Sequence, residues 1–283
     1  MEVVARGLTF EAPTEIPSGW TTIRFNNQSA MVHFAMVERV PDGYGVQDQQ
    51  ELIAPVFQDG LDLLMAGEVD AAMERFGELP AWFGEIVFLG GPGLTAAGRT
   101  SEATVYLEPG TYLLECYVKT DGIFHSFNPD PEVGGMVHGF TVTADSSRAP
   151  EPEASVHVTV SSESGIEMGE PLAPGEQIVA IEFEDQTTHE NFVGSDLHLA
   201  RVDEDTDLEA LAEWMDWTRP GGLETPAPVV FIGGTNEMPA GTTTYVTVDL
   251  EPGRYAWVSE VTDPRSKGML KTFVVPGERA SYQ

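Results

Sequence analysis

The chain repeats itself, and that repeat constrains the fold more than any other feature. Val87-Phe88-Leu89-Gly90-Gly91 returns 143 residues later as Val230-Phe231-Ile232-Gly233-Gly234. At the same offset Ala97-Gly98 returns as Ala240-Gly241, and Leu107-Glu108-Pro109-Gly110 with Tyr112 returns as Leu250-Glu251-Pro252-Gly253 with Tyr255. Farther out, Ile23-Arg24-Phe25 answers to Ile181-Glu182-Phe183, His33-Phe34-Ala35 to His198-Leu199-Ala200, and Gly135-Met136-Val137 to Gly268-Met269-Leu270. An internal copy fixes domain organisation more firmly than composition does. Between the copies, residues 145–154 are polar, contain proline and lack apolar periodicity, so they read as a linker. The expected organisation is domain 1 over 1–144, a linker over 145–154 and domain 2 over 155–283.

Each copy alternates apolar and polar residues in short runs, such as Trp20 to Phe25, Ala103 to Leu107, Tyr112 to Cys116 and Met136 to Val142. Period two punctuated by Gly and Pro predicts antiparallel strands in a sandwich or small barrel. A helical insert is expected in both copies. In the second, Thr206-Asp207-Leu208-Glu209 reads as a capping box ahead of an apolar face at Leu208, Leu211, Ala212 and Met215. In the first, residues 47–82 have room for two short helices.

Forty-six acidic residues face 14 basic ones, for a net charge of −32. Nucleic-acid binding needs Lys and Arg to displace phosphate counterions, so no nucleic-acid partner is expected, and docking on anionic lipid is disfavoured. No apolar run approaches the ~20 residues of a spanning helix, so no membrane span is expected. The single cysteine, Cys116, excludes an intramolecular disulfide and any zinc site built on two thiolates. The opening Met1-Glu2-Val3-Val4-Ala5-Arg6 has neither a basic start nor an apolar h-region, so no signal peptide is expected in the chain as given.

The first copy carries Asn26-Asn27 near the end of an early strand, a His-bearing segment Val32-His33-Phe34, the Leu107-Glu108-Pro109-Gly110-x-Tyr112 turn, Cys116 closing the next strand, and Gly135-Met136-Val137 leading to Phe140-Thr141-Val142. This pattern resembles the cupredoxin-like superfamily, the blue copper proteins, duplicated in tandem. The resemblance implies an all-β fold class: two Greek-key cupredoxin-like β-sandwich domains, each with a short helical insert. It also implies copper as cofactor, a mononuclear site in domain 1 with ligands His33, Cys116, His125 and Met136, and electron transfer with a redox or other protein partner. A location outside the cytoplasm, periplasmic or secreted, follows from the same resemblance. A thiolate and two imidazoles hold Cu(I) and Cu(II) in nearly the same trigonal arrangement, and a long axial thioether tunes the potential. Domain 2 keeps Met269 but has Ser259 in place of the cysteine and no His before the Met, so no copper is expected there.

The residues leave alternatives open. His125 follows Cys116 by nine positions and Met136 follows by eleven more, a longer loop than the compact blue copper motif. Val32-His33-Phe34 places His33 at the ligand position or one step from it, and a one-residue slip in a strand turns the side chain to the other face. His138 is the substitute in that case. Cys116 also reads as a small buried hydrophobe, Met136 as core filler, and His33 with His198 as a packing histidine shared by both domains. A copper-free extracytoplasmic binding or interaction module is the alternative function, with Pro80-Ala81-Trp82-Phe83 and Trp214-Met215-Asp216-Trp217 as its sticky surfaces. There is no Gly-x-Ser-x-Gly elbow, P-loop or His-Glu-x-x-His, and no His-x-His pair, so the chain is not expected to be an enzyme.

Overall fold

The period-two runs form strands, and each half of the chain builds two sets of four, which in the first half are joined where Val137–Ser146 pairs parallel with Glu15–Asn27. The computed structural model describes residues 1–130 and 133–277; the end of the expected second domain, 278–283, lies outside them. In the first half Thr9–Glu11, Glu2–Arg6, Glu15–Asn27 and Thr100–Leu107 follow one another across one sheet, and Val137–Ser146, Gly110–Glu115, Met36–Val40 and Val87–Phe88 across the other. The second half repeats both orders with Gly165–Met168, Val156–Ser161, Gly175–Phe183 and Thr242–Leu250, then Leu270–Val275, Gly253–Val258, Leu197–Val202 and Val230–Thr235. Pairing repeats too: Glu2–Arg6 runs parallel to Glu15–Asn27, as Val156–Ser161 does to Gly175–Phe183. The result is a mostly β molecule of two sandwiches. Alternation sets each core: Ile23, Phe25, Ala103 and Val105 from one sheet and Tyr112, Leu114 and Phe140 from the other are buried. Full burial of such a side chain stabilises by roughly 1.5–3 kcal/mol.

The halves join about a local two-fold axis. Thr100–Leu107 pairs antiparallel with Thr242–Leu250, and Ala103 sits opposite Val246, its equivalent at the 143-residue offset. Tyr117 and Glu260 are also equivalents, and the Tyr117 hydroxyl donates to Glu260 Oε2 at 3.2 Å. The recurring Gly-Gly segments meet at the same seam, where the Gly93 N–H donates to the Gly234 carbonyl and the Gly233 N–H to the Leu94 carbonyl, both at 3.0 Å. This contact explains the motif. Gly91 and Gly234 have φ of 89° and 111°, and a Cβ would lie 2.3 Å from the Ala35 carbonyl oxygen at the first and 2.2 Å from that of Leu197 at the second. Only glycine fits that backbone and that approach.

The first insert holds more helix than expected: Val46–Asp48 runs through the π turn Gln49–Ile53 into Ala54–Met65, followed by Val69–Phe76 and the 3-10 turn Ala81–Glu85. In the second insert Leu208–Trp214 begins one residue later than the Thr206 capping box predicts. Asp207 is the cap, accepting the Glu209 and Ala210 N–H groups, while Thr206 Oγ1 accepts the Asp203 N–H instead. Among the described residues no helix is long and apolar enough to cross a membrane.

Candidate metal centre

Three of the sequence-predicted residues, His33, Cys116 and His125, come together from separate parts of the chain. Cys116 follows the strand Gly110–Glu115, and its N–H donates to the Met136 carbonyl at 3.2 Å. The nine-residue step to His125 is taken up by a small hairpin, Lys119–Thr120 against Ile123–Phe124, and the His125 N–H returns to the Val118 carbonyl at 2.8 Å. Met136 N–H then donates to the His125 carbonyl at 2.6 Å. Backbone bonds, rather than a short loop, bring the long Cys-His-Met segment together. His33 lies ahead of Met36–Val40 and is pinned to Thr95 by two backbone bonds of 3.2 and 2.7 Å.

His33 Nδ1 lies 3.4 Å from Cys116 Sγ, His125 Nδ1 lies 3.9 Å from the same sulfur, and the two Nδ1 atoms are 3.1 Å apart. His33 and Cys116 are fully buried and His125 is 2 % exposed. On the far side of the ring His125 Nε2 lies 2.9 Å from Thr120 Oγ1, which also contacts Met31 Sδ at 3.3 Å and Thr225 Oγ1 at 2.9 Å, while Nδ1 faces the sulfur and His33. Burial pushes the His33 imidazole down to about 4, with the Gly7 backbone partly offsetting it, and pushes His125 down to about 3, helped by His33. Both rings are therefore neutral at neutral pH. Burial also pushes the Cys116 thiol up to about 12, a state that a coordinated cation reverses. Two neutral imidazoles and one sulfur converging on a dry point fit a thiophilic, imidazole-binding metal, and copper is the first-row ion this donor set suits. Met136 is fully buried and bonded through its backbone to both Cys116 and His125.

Other histidines stay apart. His138 is half-exposed, with Nε2 3.2 Å from the Pro13 carbonyl, and does not join the cluster. The match of His33 to His198 is corrected by register. Glu38 and Arg39 pair with Phe88 and Val87, as Ala200 and Arg201 pair with Phe231 and Val230. Arg39 also reaches Glu108 as Arg201 reaches Glu251. His198 is thus the counterpart of Met36, and His33 of Ser195. An inserted residue count between the copies hid this shift.

The second half assembles its own buried group, Asp196, His198 and Glu260. Here the Leu94 N–H donates to His198 Nδ1 at 3.0 Å, so the ring proton must sit on Nε2, 2.5 Å from Asp196 Oδ2. With Nδ1 taken by a backbone donor, Nε2 is the ring atom left to face the two carboxylates. Asp196 Oδ1 accepts the Ser259 hydroxyl at 2.8 Å and the Glu260 N–H at 2.6 Å.

Sequence reasoning missed the carboxylates beside the cluster. Glu115 precedes Cys116, and Glu38 lies across the adjoining strand; both are buried and hydrogen-bonded to each other, and Gln49 Nε2 donates to Glu115 Oε2 at 2.8 Å. Burial raises Glu38 well above the usual range, with Glu115 adding to it, and raises Glu115 to about 7. The available signal was an acid inside an apolar strand run, Leu113-Leu114-Glu115-Cys116. The tryptophan segments are corrected as well. Trp82 stacks on Tyr44 at 4.4 Å, and Trp82, Trp214 and Trp217 are all buried, so they form core and interface rather than sticky surface.

No protein-family model matches the chain, and neither does any curated protein. Similar solved structures are copper proteins with cupredoxin-like folds. A reduced auracyanin from the photosynthetic bacterium Roseiflexus castenholzii is 20 % identical over 50 % of this chain and 94 % of its own, with a TM-score of 0.25. A multicopper oxidase is 13 % identical over 97 % of this chain and 88 % of its own, TM-score 0.25. A copper-containing nitrite reductase from Thermus scotoductus is 14 % identical over 98 % of this chain and 62 % of its own, TM-score 0.25. At these values the likeness concerns the fold, and the chemistry below rests on this chain's own side chains. The expectation that the chain is not an enzyme is corrected: the neighbours that span almost all of it are named as an oxidase and nitrite reductases. Lack of a short motif was a weak ground, because residues distant in sequence can converge on one site.

Proposed function

We propose that the first half holds one copper ion through His33 Nδ1, His125 Nδ1 and Cys116 Sγ, with Met136 as fourth ligand, and passes single electrons to and from a protein partner. The observation that supports this reading is the convergence of one sulfur and two Nδ1 atoms, within 3.1–3.9 Å of one another, in a fully buried pocket. A copper ion held there would supply a one-electron Cu(I)/Cu(II) couple. The chain's own residues supply the rest. Backbone pinning of His33 to Thr95 and of Met136 to His125 fixes the ligands in advance, which limits rearrangement between redox states. The Thr120 hydroxyl, at hydrogen-bond distance from Nε2, orients the His125 ring from its far side. Burial excludes water from the sulfur. Loading requires Cys116 to release its proton, so uptake should slow as pH falls. The reading further takes the chain as a tandem duplication of a Greek-key sandwich that works outside the cytoplasm, with a second half that carries no copper.

The test is titration of metal-free protein with Cu(II), followed by absorbance in the thiolate-to-copper charge-transfer region. One equivalent should produce an intense band that Cys116→Ser abolishes. No band at stoichiometric copper, with a thiol that reacts only after denaturation, would make Cys116 a core residue and end this reading.

A further inference from the structure

A cavity of ≈ 80 Å³ lies between the two halves, against the strand end that carries Cys116. Its walls come from both copies: Ile53, Phe57 and Phe83 from the first helical insert, and Asn191, Phe192 and Trp217 from the second half. Glu38, Glu115 and Glu237 also line it, and among the described residues no Lys, Arg or His does. Three carboxyl groups in an aromatic chamber ionise only at a cost, which a proton or a positive partner relieves, and burial raises all three accordingly.

The hydrogen-bond accounting has the same sign. The donors in the wall are already engaged: Gln49 Nε2 with Glu115, the Tyr117 hydroxyl with Glu260, Trp217 Nε1 with the Asn191 carbonyl at 2.7 Å, and Asn191 Nδ2 with the Glu260 carbonyl at 3.2 Å. What remains is acceptor capacity. Asn191 is fully buried, and its Oδ1 has no hydrogen-bond partner. A ligand for this chamber must therefore donate several hydrogen bonds, carry positive charge and tolerate aromatic rings. Carboxylates closing on a single ion would draw together, as the ligand atoms of His33, Cys116 and His125 do within 4.8 Å; these three form no such group. Their spread suits a polyatomic cation.

We propose that this cavity binds a small primary ammonium ion, with N–H groups directed at Asn191 Oδ1 and the carboxylates and the apolar body against Phe57 and Trp217. Cation–π attraction to those rings adds to the carboxylate contacts in a partly desolvated site. The proposal goes beyond the copper reading and does not depend on it, because none of His33, Cys116, His125 and Met136 lines the cavity.

The test is calorimetric titration of the full chain with butylammonium chloride and with butan-1-ol, both in 0.5 M KCl, which screens general attraction to a chain of net charge −32. The expected result is saturable binding of the amine at least tenfold tighter than the alcohol, weakened at least tenfold in Glu237→Gln and in Glu38→Gln, and unchanged in Cys116→Ser. Both glutamine variants remove a buried carboxylate and should keep the wild-type melting temperature or exceed it, so lost binding is not lost folding. Equal affinity for amine and alcohol would show an apolar pocket only and overturn the proposal. So would amine binding that the glutamine variants leave intact, or no saturable binding of the amine in 0.5 M KCl. If copper fails to bind but the amine still does, only the metal reading falls.

Discussion

The two halves share strands, sheet order and even the backbone bond that closes the loop ending at the methionine, yet each buries a different set of polar side chains. Cys116 N–H donates to the Met136 carbonyl at 3.2 Å, and at the equivalent place Ser259 N–H donates to the Met269 carbonyl at 3.0 Å. Around that common frame the chemistry differs by position. The first half puts polar atoms at His33 and Cys116; the second puts them at Asp196, His198 and Glu260, which register equates with Phe34, Met36 and Tyr117. In the first half Phe34 and Tyr117 meet edge to face at 4.7 Å, and in the second Asp196 and Glu260 meet through a hydrogen bond of 2.6 Å. One step along a strand exchanges an inward side chain for an outward one. The same scaffold has thus placed its buried polar cluster on neighbouring strand positions in its two copies, two imidazoles with a thiol in one and an imidazole with two carboxyl groups in the other.

The largest effect expected from breaking this comparison is all or none. Placing the thiol in the other copy, as Ser259→Cys in a Cys116→Ser background, should give no copper charge-transfer band, because the register partner of His33 is Ser195 and the shorter second loop carries no histidine. A band of wild-type intensity in that double variant would mean that the sulfur alone makes the site and that the imidazole geometry is incidental.

Next in size is the seam. Gly91→Ala and Gly234→Ala each drive a Cβ into a backbone carbonyl at positive φ, and each should destabilise the fold by about 3 kcal/mol in denaturant unfolding. The two costs should be similar, because the positions are related by the local two-fold axis. Wild-type stability in either variant would show that the halves can separate there.

These glycines show why so much of the fold was legible. A close backbone approach tolerates one residue type, so both copies carry the same letters at the same spacing, and alternation with Pro-Gly turns supplied the strands. Three ligand types in the order Cys, His, Met were legible for a similar reason, since the resemblance rests on that order. The register of His33 was not, because chain length between the copies differs just where the histidine lies. Nor were the acids. Within one sandwich Glu115 sits between two inward residues and reads as a solvent-facing position, but the outward face here is covered by the first helical insert and the second half. No alternation pattern within a single copy reports that cover.

Buried acids also predict how the halves respond to pH. Burial raises Glu237 to about 7 and Glu260 well above the usual range, Asp196 adding to both. A carboxyl whose folded pKa exceeds its unfolded value near 4.5 binds more protons in the folded state, so its contribution to stability is complete below about pH 4.5 and is lost as pH rises through about 7. The melting temperature of Cys116→Ser, which holds no copper thiolate, should therefore fall by several degrees from pH 5 to pH 8. Glu237→Gln should flatten the slope. A melting temperature that rises across this window would show that these acids ionise freely, through water reaching the seam.

The smallest effect separates structure from ligation at a single atom type. Met136 and Met269 are both fully buried and make the same backbone bond, so Met136→Leu and Met269→Leu, being close in volume, should each cost less than about 1.5 kcal/mol in the metal-free protein and should match each other. Copper breaks the tie if the thioether of Met136 is a ligand: only Met136→Leu should then shift the charge-transfer band and the reduction potential, while Met269→Leu leaves both unchanged. Equal stability costs with no spectral change in either variant would make the methionine a packing residue in both copies, and the site a three-ligand centre of His33, Cys116 and His125.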